Sequence, residues 1–152
     1  MSVVGKHFEN MKYVFDDGGR ADADYHGSTG DCATRSIAIV TGQSYQKVYD
    51  TINQLGKCER TGRRKRGRSN ARTGVYRQLL RKYFASLGWK WTPTMFIGQG
   101  CKVHLRDGEL PLGRLLVNVS KHYTAVIDGV IHDTHDPSRH GTRCVYGYYS
   151  KD

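Results

Sequence analysis

The sequence predicts an α+β domain, with helices in its first half and antiparallel strands in its second. Apolar residues recur at helical spacing in three stretches before residue 88, and short runs of β-branched and aromatic residues broken by Gly and Pro follow from Trp89 onward. Length supplies the third observation. The 152 residues, 38% hydrophobic and 11% aromatic, suffice for one core, so 1–152 reads as a single domain.

The first helix is announced by a polar glycine loop, His26-Gly27-Ser28-Thr29-Gly30-Asp31, that runs into Cys32 and then into Ala33, Ile37, Ala38, Ile39 and Val40. Gly42 stands just beyond as a C-cap. Cys32 therefore falls in the first helical turn. Unpaired backbone N–H groups and the positive end of the helix dipole favour thiolate there, as a nucleophilic cysteine requires. A small buried apolar residue is the other common role of a free cysteine. The Asp- and Gly-rich residues 16–31 read as a loop leading to this helix.

Ser44 is a natural N-cap for a second helix, Tyr45 to Leu55, in which Tyr45, Val48, Ile52 and Leu55 share a face before Gly56 closes it. A third helix, Val75 to Leu87 with Gly88 as its stop, buries Val75, Leu79, Leu80, Tyr83, Phe84 and Leu87. Arg77, Arg81 and Lys82 fall on its opposite side. Strands are expected over 89–92, 95–97, 102–105, 113–119, the 121–133 hairpin and 143–149.

Charge is concentrated. From Lys57 to Lys82 there are 11 basic residues against one acid, Glu59, a surplus equal to the whole net charge of +10. The basic character is thus a local patch, with an exposed segment at 57–72. Arg63, Arg64, Lys65, Arg66 and Arg68, interleaved with Gly, form a candidate contact for a nucleic-acid phosphate backbone, or else a solvated loop.

The turn signal Asp128-Gly129, between Tyr123 to Ile127 and Val130 to Ile131, sets a hairpin register in which cross-strand partners sum to 257. Asp133 then faces Thr124, and His135 faces His122. By the two-residue alternation of a strand, His122, Thr124, Asp133 and His135 share one face while His132 lies on the other. His122 and Asp133 are diagonal neighbours, within reach of an imidazole and a carboxylate.

A cysteine at a helix start, followed much later by a histidine on one strand and an acid on the next, resembles the papain-like cysteine peptidase superfamily. The loop His26-Gly27-Ser28-Thr29-Gly30-Asp31-Cys32 is similar to that superfamily's Gln-Gly-x-Cys-Gly-Ser-Cys, with both glycines and the cysteine in register, His26 in place of glutamine and Ala33 in place of tryptophan. The Asn-Ser-Trp-Gly motif of the true papains is missing, so the chain looks more like small bacterial and phage members that process peptides or cleave cell-wall amides. The resemblance spans roughly 26–149. It implies N-terminal helices carrying the cysteine packed on a C-terminal antiparallel sheet, and a triad of Cys32, His122 and Asp133. His135 and Asn118 are alternative orienting groups. His26, with the Cys32 N–H, would hold the oxyanion. The implied activity is that of a thiol-dependent peptidase or amidase working through a thioacyl intermediate, on a peptide or amide substrate, with no cofactor. The same triad serves acyltransferases and transamidases, and a basic nucleic-acid-binding protein on the same scaffold is a further reading.

The histidines and carboxylates between His132 and His140 invite a metal, but parity sends His132 and His135 to opposite faces, and no metal is expected. Cys32, Cys58, Cys101 and Cys144 are too few and too widely spaced to suggest a disulfide framework. No apolar run in residues 1–25 resembles a signal peptide, and none elsewhere approaches a membrane span. A cytoplasmic protein with no membrane partner is the expectation.

Overall fold

A computed structural model describes residues 10–27, 30–59 and 67–151. Its elements run β1 (Lys12–Phe15), α1 (Cys32–Thr41), α2 (Tyr45–Lys57), α3 (Arg77–Ser86), β2 (Lys90–Pro93), β3 (Arg114–Val119), β4 (His122–Ile127), β5 (Val130–Asp133) and β6 (Val145–Ser150). The α+β class holds: three helices pack on a six-stranded sheet of order β1-β5-β4-β3-β6-β2. The sheet is mixed, however. Every neighbouring pair is antiparallel except the edge pair β1 and β5, which is parallel.

Alternation on β3 divides the interior in two. Leu116 faces the helices with Ala125 and Tyr149, joining Ile37, Val40, Val48, Ile52, Leu80 and Phe84 in one core. Leu115, Val117 and Val119 face the other side with Val126, Ile131 and Val145, where Met11, Val103, Leu105 and Leu110 cover them. Two expected strands are in fact part of this covering and of its approach. Residues 95–97 and 102–105 form no strand, contributing only the isolated bridges Met95 to Cys101 and His104 to Cys144. In 102–105 the apolar residues are recruited by burial without extended pairing, and Leu105 is fully buried, whereas Phe96 and Ile97 are exposed.

The three helices lie where periodicity puts them, with shifted ends. Ser44 caps α2 by accepting from the Lys47 N–H at 3.1 Å. Gly56 does not terminate α2 but lies inside it, because the chain at Ser69 passes so close that a Cβ at Gly56 would stand 2.1 Å from the Ser69 carbonyl oxygen. Helix α3 starts at Arg77, two residues later than its apolar pattern suggests. Against the expectation for the cysteines, Cys101 and Cys144 are joined in a disulfide, while Cys32 and Cys58 are free. Among the described residues no helix is long and apolar enough to cross a membrane.

Candidate active site

Helix α1 brings the cysteine to the sheet. Its N-cap residue, Asp31, makes no side-chain cap; the buried carboxylate turns away to Arg35 at 2.8 Å, Tyr45 Oη at 2.7 Å and Arg20 at 3.2 Å. The first-turn N–H groups are thereby left without a capping carboxylate, and Cys32 opens the helix among them. Ser36, one turn on, donates to the Tyr123 carbonyl at 2.9 Å, and Thr34 donates to the Ala71 carbonyl at 2.6 Å. The Ser36 bond docks the start of α1 against β4, where His122 is the first residue, and the Thr34 bond ties it to the segment before α3.

The hairpin register is the one read from the sequence. Ala125 pairs with His132, Val126 with Ile131 and Ile127 with Val130, and both turn residues, Asp128 and Gly129, have positive φ of 48° and 79°. Asp133 therefore meets His122 on the hairpin face opposite to that of Ala125 and His132, with His122 Nε2 2.7 Å from Asp133 Oδ2. Thr124 donates to the same oxygen at 2.8 Å. The other oxygen, Oδ1, accepts the Thr134 N–H at 2.7 Å, with the Arg35 guanidinium at 3.8 Å. With Nε2 engaged by Asp133, Nδ1 is the ring nitrogen of His122 left for the Cys32 thiol, which lines the same cavity.

Electrostatics follows this geometry. Burial pushes the Cys32 thiol up, but the His122 hydrogen bond and charge, the Tyr123 N–H and Arg35 together outweigh it and hold the thiol below its ordinary value. Burial alone would lower the His122 pKa. Hydrogen bonds to Asp133 and Cys32 instead raise it to about 9. Asp133, which burial would raise, is held below the usual carboxylate range chiefly by His122, then by Thr124 and the Thr134 N–H. All three shifts favour the charged forms: thiolate on Cys32, imidazolium on His122 and carboxylate on Asp133.

A cavity of about 420 Å³ opens over Cys32 and His122, lined also by Gly30, Tyr76, Arg77 and Asn118. Asn118, on β3 with its side chain on the helix face, is nearly buried, yet its amide makes no side-chain hydrogen bond among the described residues. It does not orient His122, since Asp133 holds that place. His135, the other alternative, is exposed, and its Nδ1 stays 3.8 Å from Asp133 Oδ1, beyond hydrogen-bond distance. His132 points to the opposite face toward Asp16 at 3.6 Å, as parity requires.

His26 is not brought in: it is exposed and does not line the cavity over Cys32. Its spacing before Cys32 was its only signal, and spacing does not fix the path of a glycine-rich loop. Arg63, Arg64, Lys65 and Arg66 lie outside the described residues; Arg68 is exposed beside α2. Residues missed by the sequence reading are Thr124, whose place opposite Asp133 in the hairpin register was the available signal, and Arg35, which spans Asp31 and Asp133 with no such signal.

Two groups of three metal-capable side chains occur among the described residues, each with ligand atoms within 4.8 Å: His122, Asp133 and His135, and Cys101, His104 and Cys144. In the first, His122 Nε2 and the Thr124 hydroxyl already engage Asp133 Oδ2. In the second, the two sulfurs are bonded to each other. Comparison with family models, with curated proteins and with solved structures gives no match to this chain.

Proposed function

We propose that this protein is a thiol-dependent acyl-transfer enzyme, a peptidase or amidase on a papain-like fold. One observation carries the reading: His122, bonded through Nε2 to the Asp133 carboxylate, lines the same cavity as the Cys32 thiol at a helix start. The three residues arrive from three separate elements, and structural burial of a cysteine gives no reason for such a convergence.

The chemistry runs in two halves. The Cys32 thiolate attacks the carbonyl carbon, and the carbonyl oxygen takes up the electron pair as an oxyanion. The Cys32 N–H receives it together with the Asn118 amide, which lines the same cavity and takes the role that the resemblance gave to His26. The C–N bond then breaks as His122 Nδ1 passes its proton to the leaving amine, giving a thioester and a neutral imidazole. Water attacks the thioester, His122 takes its proton, and the acid leaves as Cys32 returns to thiolate. An amine in place of water makes the same site a transferase. Asp133 stays ionised throughout and fixes the ring.

The reading includes a cytoplasmic location, against which the Cys101–Cys144 disulfide is the one structural argument, since such bonds are rare in reducing compartments. The testing experiment is a screen of peptide and amide substrates with mass spectrometry of the acyl-enzyme. A thioester on Cys32, lost in Cys32→Ala and slowed in His122→Ala, is expected. Turnover that survives Cys32→Ala sinks the proposal.

A further inference from the structure

The largest cavity among those described is not the one over the thiol but its neighbour, of about 650 Å³. The two share Arg77, Asn118 and Tyr123 as a common wall, so a substrate reacting at Cys32 extends directly into the second space. Trp91, Phe96 and Tyr146 give that space flat apolar sides. Among the described residues its charged lining residues are Arg77 and Arg81, one helical turn apart on α3.

Both guanidinium groups stand among aromatic residues and not beside acids. Arg77 lies over the Tyr146 ring, with Cζ 5.9 Å from its centroid, and Arg81 lines the cavity with Tyr149. Among the described residues neither has a carboxylate within ion-pair distance. An arginine fork with its donors unspent, beside an apolar slot, is complementary to a planar apolar group carrying a carboxylate. The face of α3 that the sequence assigns to solvent is therefore turned toward the cavity.

We infer that this cavity is a specificity subsite for an aromatic residue bearing a carboxylate, with Trp91, Phe96 and Tyr146 taking the ring and Arg77 and Arg81 the anion. The inference rests on the acyl-transfer reading for what reacts at Cys32, but binding at the subsite does not depend on catalysis. A terminal α-carboxylate and an acidic side chain offer the same chemistry.

Binding can be measured on the full chain carrying Cys32→Ala, by quenching of tryptophan fluorescence; Trp91 lines the cavity whereas Trp89 packs edge-on against Phe84. The probes are N-acetyl-phenylalanine, its carboxamide, and N-acetyl-aspartyl-phenylalaninamide. At least one carboxylate probe should bind about tenfold tighter than the carboxamide, with the difference shrinking as salt rises. The tighter of the two identifies the source of the carboxylate. Arg77→Gln with Arg81→Gln should erase the preference while leaving carboxamide binding; both side chains are exposed, so the fold should persist, checked by thermal unfolding. Equal binding of all three probes, a preference that survives the double replacement, or tighter binding of a short oligonucleotide than of any carboxylate probe would overturn the proposal. Because catalysis is absent from this assay, a failed acyl-enzyme screen and a failed subsite give separate results.

Discussion

Asp133 accepts from His122 and from Thr124 through the same carboxylate oxygen, at 2.7 and 2.8 Å. The threonine hydroxyl therefore holds the acid in place while the acid holds the imidazole. Asp133→Asn should keep the shape of this corner and remove its charge. Carboxymethylation of Cys32 should slow by about tenfold or more, and turnover by more, given the size of effect known when the acid of a triad is amidated. His132→Gln, on the other face, should change either rate by less than about twofold. Equal effects at the two positions would break the triad assignment.

The charge states give a pH profile. The folded pKa of His122 is raised from 6.5 to about 9, so the stability contributed by its imidazolium is fully present below about 6.5 and is lost as pH climbs through 9. Cys32 and Asp133 are held low, so their contributions are present above their ordinary values and fade as pH falls through the lowered ones. Turnover needs thiolate and imidazolium together. Plots of kcat/KM against pH should rise below the ordinary cysteine pKa and decline around pH 9. A descending limb centred near 6.5 would mean that no ion pair forms.

Thiol labelling separates the cysteines without a substrate. In non-reducing buffer, iodoacetamide should reach Cys32 and Cys58 but not the bonded pair. Near neutral pH, Cys32 should react first although Cys58 is the more exposed, because His122 keeps it as thiolate. Peptide mapping by mass spectrometry reads the order directly. Faster modification of Cys58 would count against an activated Cys32.

Asn118 is separable from the triad by what it should leave untouched. Asn118→Ala should lower kcat by roughly 10²–10³, the usual cost of one oxyanion donor, with little change in KM. Alkylation of Cys32 builds no oxyanion, so its rate should stay the same. A parallel fall in alkylation would reassign Asn118 to shaping the thiol.

Gly56→Ala tests the fold away from the site. The added methyl would meet the backbone oxygen of Ser69 at 2.1 Å, and neither the helix nor the 67–70 segment is a flexible side chain that could swing aside. A loss of about 1–3 kcal/mol is expected in chemical denaturation, with the labelling order of the cysteines preserved.

How far the sequence speaks differs by element. The Asp128-Gly129 turn fixed register and parity together, so the relation of His122 to Asp133 could be read before any coordinates. Cys32 was legible for a similar reason, since a glycine loop, an apolar face and Gly42 bound one helix between them. Strand β1 was not legible: all four of its residues are exposed, it lies at the sheet edge, and its parallel pairing to β5 leaves no buried alternation to detect. Residues 102–105 misled in the opposite direction, because an apolar run that covers a sheet looks the same as one that joins it, and 95–97 misled because Phe96 and Ile97 are apolar yet exposed. His26 failed because distance along the chain is not direction in space. Arg77 and Arg81 were placed correctly on their helix, but the cavity they face depends on Asn118 of β3 and on Tyr146 and Tyr149 of β6, which lie far along the chain.

The disulfide has a practical consequence for anyone assaying this chain. The turn from Thr94 to Cys101 carries Phe96 into the wall of the larger cavity, tied at one end by Thr94 to the Val145 and Tyr146 carbonyls and at the other by the Cys101–Cys144 bond. Thiol enzymes are customarily kept alive with a reducing agent, and here that agent has two targets with opposed effects. A mild dose clears oxidised Cys32 and restores turnover. A strong dose unties one end of the turn and leaves a substrate's outer residue without its wall. Turnover of long substrates should therefore pass through a maximum as reductant increases, while small alkylating reagents register only the rise.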